Sequence, residues 1–208
     1  MSCAVCAGTE VCQPATRAPA SRLGAEGFGS SRSGVTLQTL AVCRSCGHAW
    51  QFPLPSQAEL DAIYAQLEDT TYLSEGDNRR RSAHRALDLM EGYTGGSRGD
   101  MLNTGCLAGI FLEHAKARGW AVYGIEPSKT LATAARLATN AAIETSSFET
   151  TSQDGRSYAA ICFWDVLEHV ADPAAFVRAA SACLAPGGIW ALNLPRRDSW
   201  VAPILGQR

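Results

Sequence analysis

Short apolar runs alternate with helix-like periodic segments along the second half of this chain. Between the runs, apolar residues recur every three or four positions, the period of an amphipathic helix. Strands that alternate with helices of this length predict an α/β fold with a mostly parallel sheet built from βαβ units. The predicted strands cover residues 101–104, 121–125, 141–144, 158–164 and 189–194. Helices are predicted over 108–118, from Ser128 and from Asp172.

The last of these helices has clear start and stop signals. Asp172 is a favourable N-cap, and Pro173 suits the first helical position because its missing N–H is not needed there. We expect this helix to present Leu184 on its apolar face and to end at residues 186–188, Pro-Gly-Gly.

The first half of the chain is organised differently. Ser56 and Glu59 form a capping box, and apolar residues at helical spacing follow it. A second helix is predicted over 78–91, and a glycine-rich linker follows it. Residues 14–34 are predicted to be a mobile loop and 35–42 a strand. The chain therefore divides into a small module over 1–52, a helical connector over 53–99 and the α/β domain over 100–208.

Composition and charge exclude some function classes. The chain has 208 residues, a formal net charge of −2 and a pI of about 6.1, whereas a nucleic-acid-binding domain usually has a basic face and a high pI. No apolar stretch approaches a membrane span, and the N-terminus lacks the pattern of a signal peptide. We therefore predict a cytoplasmic protein without a membrane or nucleic-acid partner.

Four of the eight cysteines form two C-x-x-C pairs with 36 residues between them. Two such turns can complete a tetrahedral four-thiolate shell around Zn²⁺, and a closed shell is structural rather than catalytic. The alternative is that these cysteines are free or oxidised remnants of a lost site; His48 could also replace one of them. The predicted zinc ribbon uses Cys3, Cys6, Cys43 and Cys46. Cys106, Cys162 and Cys183 are predicted to be small core residues.

A turn between the first strand and helix of the α/β domain carries candidate ligand-binding residues. Gly105 and Gly109 would let the backbone approach a ligand at the helix N-terminus. Glu126 stands about 20 residues on, at the end of the next strand, where an acidic side chain can accept both ribose hydroxyls of a nucleoside. Alternatively, Glu126 only caps the helix that starts near Ser128.

Several segments together resemble the class I S-adenosylmethionine-dependent methyltransferases. They cover 105–112, 118–128, 164–173 and 184–188. The N-terminal part resembles a branch of that family in which two cysteine pairs, a Pro-x-Pro-Ser and a tyrosine-containing helix precede the Rossmann domain; some members of this branch resemble sugar C-methyltransferases. The resemblance implies a Rossmann-like methyltransferase fold, here with a sheet shortened at the C-terminus.

The resemblance also implies residue roles. The implied cofactor-binding residues are Asn103, Gly105, Cys106, Leu107, Gly109, Glu126, Pro127, Ser147, Phe148, Glu149 and Asp165. Glu168 and His169 would face the substrate, with His169 the better general base because its ordinary pKa lies near neutrality. Either residue could instead only stabilise its turn. Tyr64 or Tyr72 would cover the methionine end of the cofactor.

Two residues depart from the family pattern. The family usually has an acidic residue where this chain has Asn103, and a small residue where Leu107 stands. We expect S-adenosylmethionine as cofactor and a small molecule as methyl acceptor. The rival hypothesis is a non-catalytic relative that keeps the fold, and a third is an RNA methyltransferase, against which the pI argues. An open edge at strand 189–194 predicts self-association.

Overall fold

A computed structural model describes residues 2–12, 40–53, 55–67, 76–148 and 155–194. The N-terminal module is a small antiparallel sheet of order β1-β2-β3. Its strands are β1 (Val11–Cys12), β2 (Leu40–Cys43) and β3 (Ala49–Gln51). The loop predicted over 14–34 and most of the strand predicted over 35–42 lie outside the described residues, as do Tyr72 and Glu149.

The connector contributes two helices. Helix α1 (Gln57–Ala65) begins with the predicted capping box, because the Ser56 hydroxyl accepts from the Glu59 amide and the Glu59 carboxylate accepts from the Ser56 amide. Helix α2 (Gly76–Tyr93) is longer than the predicted 78–91. No helix within the described ranges is both long and apolar enough to cross a membrane.

The α/β domain contains a five-stranded, wholly parallel sheet of order β6-β5-β4-β7-β8. This confirms the predicted fold class. The strands are β4 (Asp100–Thr104), β5 (Ala121–Ile125), β6 (Ala142–Glu144), β7 (Tyr158–Trp164) and β8 (Leu184–Asn193). The helices are α3 (Ile110–Ala117), α4 (Lys129–Thr139), a 3-10 turn (Leu167–His169) and α5 (Pro173–Ala182).

The prediction for the end of α5 was wrong. The helix ends at Ala182, and Leu184 is the first residue of β8, where it pairs with Tyr158. The next pairing is between Ala160 and Ile189, so the Pro-Gly-Gly sequence at 186–188 bulges out of the strand rather than ending the helix. Gly187 has a φ of 79°, a left-handed conformation that glycine adopts without steric cost.

Apolar side chains cover both faces of the parallel sheet. One cluster packs α2, α3 and α4 against the first face, with Leu87, Met101 and Leu112 fully buried. A second cluster packs α5 against the other face through Phe163 and Phe176. Since both faces are covered, the carboxyl edge of the sheet is the place where ligands can enter. Cys106, Cys162 and Cys183 are buried, as predicted.

A smaller cluster joins the connector to this edge. Leu67, just after α1, packs with Ala108, Ile110 and Leu131 at the starts of α3 and α4. The carbonyl of Leu67 also accepts a hydrogen bond of 2.8 Å from the Ser128 hydroxyl. The connector is therefore fixed beside the carboxyl ends of β4 and β5.

Strand β8 ends the sheet order within the described ranges and carries the exposed apolar side chains of Trp190 and Leu192, and Leu194, directly after it, is also exposed. We expect the chain to self-associate through this edge, because an unpaired apolar strand favours pairing with another chain. Light scattering over a concentration series should show dimers or larger species, and Leu192→Lys should reduce them. A clean monomer at high concentration would contradict the prediction.

Candidate functional site

One cavity of the α/β domain lies at the carboxyl ends of β4, β5 and β7. Asn103 and Thr104 end β4, Glu126 follows β5, and Asp165 follows β7. The sheet order changes direction at β4, since β5 lies on one side of it and β7 on the other. In open α/β sheets, ligands bind at such a switch point. The cavity volume is about 190 Å³.

The turn between β4 and α3 has three residues in the left-handed region. The φ angles are 64° at Gly105, 50° at Leu107 and 84° at Gly109. At Gly105 a Cβ would lie only 2.8 Å from a methyl carbon of Val166, so a side chain there would collide with the neighbouring loop. At Gly109 a Cβ would lie 3.1 Å from the Cα of Ala135, so this glycine permits α3 to approach α4.

Leu107 occupies a conformation that costs a side-chain-bearing residue about 1–2 kcal/mol. This explains in physical terms why a small residue suits the position. The Leu107 side chain packs beside the cluster of Leu67 and Leu131 and also lines the cavity, and its amide points towards Glu126.

Glu126 is the central polar group of the cavity. Its side chain is 3% exposed, and its two oxygens accept from the amides of Leu107 (2.8 Å) and Ser128 (2.9 Å). Burial raises the pKa of Glu126, and the two backbone hydrogen bonds oppose that shift. The N-cap of α4 is the Ser128 hydroxyl, which accepts from the Leu131 amide, so Glu126 does more than cap that helix. A carboxylate has about four acceptor sites, which leaves two for a ligand.

Three buried polar atoms in the cavity wall have no hydrogen-bond partner among the described residues. They are Asn103 Oδ1, Thr104 Oγ1 and Trp164 Nε1. Buried polar atoms are normally paired, because an unsatisfied one costs about 1–3 kcal/mol. All three atoms belong to residues that line the cavity, which favours a polar ligand there.

Asp165 is held by a residue that sequence reasoning missed. The Asp165 amide donates to Asn193 Oδ1, and Asn193 Nδ2 donates to Asp165 Oδ1, both at 2.7 Å. Asn193 ends β8 and pairs with Trp164, the last residue of β7. The meeting of neighbouring strand ends at one sheet edge is the signal that could have identified Asn193. Asp165 has a φ of 54° and lies exposed at the mouth of the cavity.

His169 and Tyr64 close the opposite side. Their ring centroids are 6.1 Å apart in an edge-to-face arrangement. Burial lowers the pKa of His169, with a smaller opposing effect from Asp165, so the imidazole is neutral at neutral pH. Glu168 in the same turn is exposed and is not among the residues that line the cavity.

The structure brings most of the predicted site residues together. The cavity is lined by Tyr64, Asn103, Gly105, Cys106, Leu107, Glu126, Pro127, Ser147, Phe148, Asp165 and His169. Gly109 and Glu168 lie outside the lining. Sequence reasoning missed Gln57, Asp61, Arg79, Thr104, Phe111 and Trp164. The first three come from the connector, whose position over the cavity depends on tertiary packing.

The four cysteines of the N-terminal module also converge. Their sulfur atoms all lie within 4.8 Å of one another, with Cys3 and Cys46 at 3.7 Å and Cys6 and Cys43 at 3.5 Å. Tetrahedral Zn²⁺ with bonds of about 2.3 Å would place its sulfurs about 3.8 Å apart, so the cluster fits this ion. Backbone N–H groups, that of Cys46 first, lower the pKa of Cys43 to about 6 and favour the thiolate.

The backbone of both C-x-x-C segments forms the tight turn, or knuckle, that is typical of zinc-binding cysteine pairs. The Ala7 amide donates to the Cys3 carbonyl and the Gly47 amide to the Cys43 carbonyl, each at 2.9 Å. Gly47, directly after the second pair, has a φ of 76°, a conformation that glycine adopts without steric cost. His48 stacks on Trp50 instead of joining the sulfurs.

Comparison with known proteins identifies the family. The family model described as a methyltransferase domain matches residues 76–207, so this chain belongs to that family. This confirms the resemblance to class I S-adenosylmethionine-dependent methyltransferases.

Two curated relatives are named ubiquinone biosynthesis O-methyltransferase. The protein from Alkalilimnicola ehrlichii is 33% identical over 129 residues, which cover 58% of this chain and 52% of the relative. The protein from Methylocella silvestris is 32% identical over 120 residues, covering 55% of this chain and 43% of the relative. The chain thus spans about half the length of these relatives.

Solved structures show the same fold. The plantazolicin methyltransferase BpumL, in complex with S-adenosylhomocysteine and a monoazolic substrate analogue, superposes with a TM-score of 0.54 at 17% identity, over 65% of this chain and 59% of that one. The amino pentose methyltransferase CalS10 from Micromonospora echinaspora, with S-adenosylmethionine bound, gives 0.52 at 23% identity, over 61% and 57%.

Proposed function

We propose that this chain is an S-adenosylmethionine-dependent methyltransferase that acts on a small molecule. The observation that carries the proposal is the buried Glu126 carboxylate at the carboxyl end of β5, which ties the turn after β4 to the start of α4. Beside it, Asn103 Oδ1 and Thr104 Oγ1 lack partners within the described ranges, so the cavity suits a ligand with several polar groups.

Different residues of the cavity would bind different parts of the cofactor. Glu126 would accept from the ribose hydroxyls, while Pro127, Ser147 and Phe148 would contact the adenine. The turn at Asn103, Gly105, Cys106 and Leu107, together with Asp165, would hold the amino-acid and ribose portions. Gly109 would shape this turn by allowing α3 to pack on α4 rather than by touching the ligand.

The bound cofactor supplies an electrophilic methyl group on a sulfonium sulfur. The protein has to exclude water, align the acceptor and take up a proton where the acceptor loses one. His169 is suited to the last task because it lines the cavity and is neutral at neutral pH. Tyr64 packs against its ring and limits its orientation. Glu168, predicted to be catalytic with His169, would act only from the rim.

A small-molecule acceptor is supported by the size of the cavity, about 190 Å³, and by the relatives. Two relatives are named for ubiquinone biosynthesis, and one structural neighbour methylates an amino pentose. The pI of about 6.1 disfavours a polyanionic RNA acceptor, whose binding depends on neutralising phosphates.

We also propose one structural Zn²⁺ bound by Cys3, Cys6, Cys43 and Cys46. The sulfur positions complete a closed shell, so this metal would stabilise the module without taking part in methyl transfer. Unpaired thiols held as ligands suit a reducing compartment, which supports a cytoplasmic location.

Two observations favour the alternative hypothesis that this chain is a non-catalytic relative of the methyltransferases. Asn103 lacks the charge that would attract the ammonium group of the cofactor, and Leu107 is strained in a position that suits glycine. Both features predict weak binding rather than none, since the turn and Glu126 are intact.

We expect Asn103→Asp combined with Leu107→Gly to tighten S-adenosylmethionine binding about ten- to a hundredfold. A charge-assisted hydrogen bond contributes about 1.5–3 kcal/mol, and glycine would remove the strain at position 107. Isothermal titration of both proteins measures the effect, with Leu107→Gly alone as the control for loop strain.

The outcomes separate the two hypotheses. If the unmodified chain binds and the double variant binds more tightly, the site is a cofactor site. No heat from either protein at millimolar cofactor would contradict the proposed function, and binding by the double variant alone would favour the non-catalytic relative.

A further inference from the structure

One carboxylate of the cavity lies outside the sheet, on the connector helix α1. Three carboxylates line the cavity: Asp61, Glu126 and Asp165. Glu126 accepts from two backbone amides, and Asp165 is exposed and bound to Asn193. Glu126 keeps two acceptor sites, which the proposed function gives to the ribose, and Asp165 accepts one hydrogen bond at the exposed mouth of the cavity.

Asp61 comes from the connector and is placed differently. It lies on α1, is half-buried, and accepts a single hydrogen bond of 2.9 Å from Gln57 Nε2. Tyr64, one turn further along the same helix face, lines the cavity and contacts the His169 ring. The remaining acceptor capacity of this carboxylate is thus available at the cavity wall.

The position of α1 is fixed, so Asp61 is a defined part of the cavity. The capping box fixes the start of the helix, and the Leu67 carbonyl, just after its end, accepts from Ser128 next to Glu126. A carboxylate held in this way loses less conformational freedom when it binds a cation.

A second observation points to a ligand at this wall. Asn103 Oδ1 is a buried acceptor without a described partner, on a side chain that is 2% exposed. Arg79 of α2 lines the same cavity. The cavity therefore offers a carboxylate and a neutral acceptor, and the ammonium group of an amino acid is complementary to both.

We propose that Asp61 binds the ammonium group at the amino-acid end of the cofactor, and so supplies part of the negative charge that Asn103 lacks. This inference rests on the proposed function, since it assigns a further residue to the same site. In this arrangement the negative charge that binds the ammonium group lies on the connector helix and not at the end of β4. Cofactor binding therefore depends on the position of α1.

The test compares two ligands in Asp61→Asn. S-adenosylhomocysteine carries the amino-acid end, whereas 5′-methylthioadenosine has the same nucleoside without it. We expect the variant to bind S-adenosylhomocysteine about ten- to a hundredfold more weakly, because a charge-assisted hydrogen bond is lost. Affinity for 5′-methylthioadenosine should stay within about twofold, since that ligand has no ammonium group.

Two further variants make the result specific. Glu59→Gln removes a negative charge from the exposed side of the same helix and keeps a side chain that can complete the capping box, so it should change neither affinity. Adding Asn103→Asp to Asp61→Asn should restore S-adenosylhomocysteine binding, because it returns a carboxylate to the other side of the wall.

An unchanged affinity for S-adenosylhomocysteine in Asp61→Asn would overturn the inference while leaving the proposed function intact. An equal loss for both ligands would also overturn it, because it would show a general disturbance of the cavity. If the unmodified chain binds neither ligand, the proposed function itself fails.

Discussion

Replacing Cys43 with serine is expected to abolish metal binding and unfold the sheet β1-β2-β3. Cys43 is buried at the end of β2, and its sulfur lies 3.5 Å from that of Cys6. The described sheet is too small to bury a core of its own, so folding of the module should depend on the ion. Structural Zn²⁺ in such modules contributes about 10–16 kcal/mol of binding free energy, which becomes folding free energy.

The measurement is metal content together with amide hydrogen exchange over residues 2–12 and 40–53. Cys12→Ser is the matched control: Cys12 lies in the same sheet, outside the sulfur cluster, and its thiol only contacts the Val42 carbonyl. The control should retain about one equivalent of zinc and slow exchange. Unmodified protein purified with less than about a tenth of an equivalent of metal would contradict the zinc site.

Glu126→Ala is expected to weaken S-adenosylmethionine binding by about a hundredfold or more, because two charge-assisted hydrogen bonds to the ribose would be lost. The substitution also leaves the amides of Leu107 and Ser128 without their acceptor, so the free energy of unfolding should fall by about 1–3 kcal/mol for each. Titration calorimetry and thermal unfolding measure the two effects.

Glu126→Gln separates recognition from loop stability. It keeps the shape and one acceptor oxygen, while its NH₂ group faces the other backbone amide, so about half of the stability lost in Glu126→Ala should return and the affinity should stay low. If instead Glu126→Ala reduces stability but leaves the affinity unchanged, Glu126 only organises the loops.

The raised pKa of Glu126 adds a pH dependence. The ribose hydroxyls donate to the ionised carboxylate, so the affinity should be complete above the folded-state pKa and fall as pH drops through it. Because burial raises that pKa, the loss should begin at a higher pH than for an exposed glutamate. Glu126→Gln should remove this part of the pH dependence.

The sequence predicts the parts of the fold and site that depend on local signals. The spacing of the apolar residues locates the strands. The number of residues between Gly105 and Glu126 is that expected between the ends of the two strands of one βαβ unit. Ser56 and Asp172 were predicted as caps, and both cap their helices. Each of these features depends on residues close together in sequence.

The features that were missed depend on packing between distant segments. Asp61 lines the cavity because α1 docks beside α3 and α4 through Leu67, and Arg79 because α2 packs on α3 through Leu87; no spacing within α1 or α2 reveals either contact. Asn193 meets Asp165 only because β8 pairs with β7. The Pro-Gly-Gly sequence is an equally good signal for a helix end and for a strand bulge, and pairing with β7 decides between them.

The left-handed conformation of Leu107 shows how tertiary structure overrides local preference. Nothing in the side chain favours a φ of 50°, but the Leu107 amide has to reach Glu126 across the turn. The surrounding contacts impose the strain, and strain of this kind is common where a backbone is shaped for a ligand.

The central claim is that the cavity at the carboxyl ends of β4, β5 and β7 holds S-adenosylmethionine. The most direct measurement is a crystal structure of the chain with S-adenosylhomocysteine. The account predicts the nucleoside in this cavity, with its ribose hydroxyls on Glu126, its adenine beside Phe148 and its ammonium group on Asp61. A ligand bound elsewhere, or a cavity that stays closed by Leu107 and Tyr64 at millimolar ligand, would contradict it.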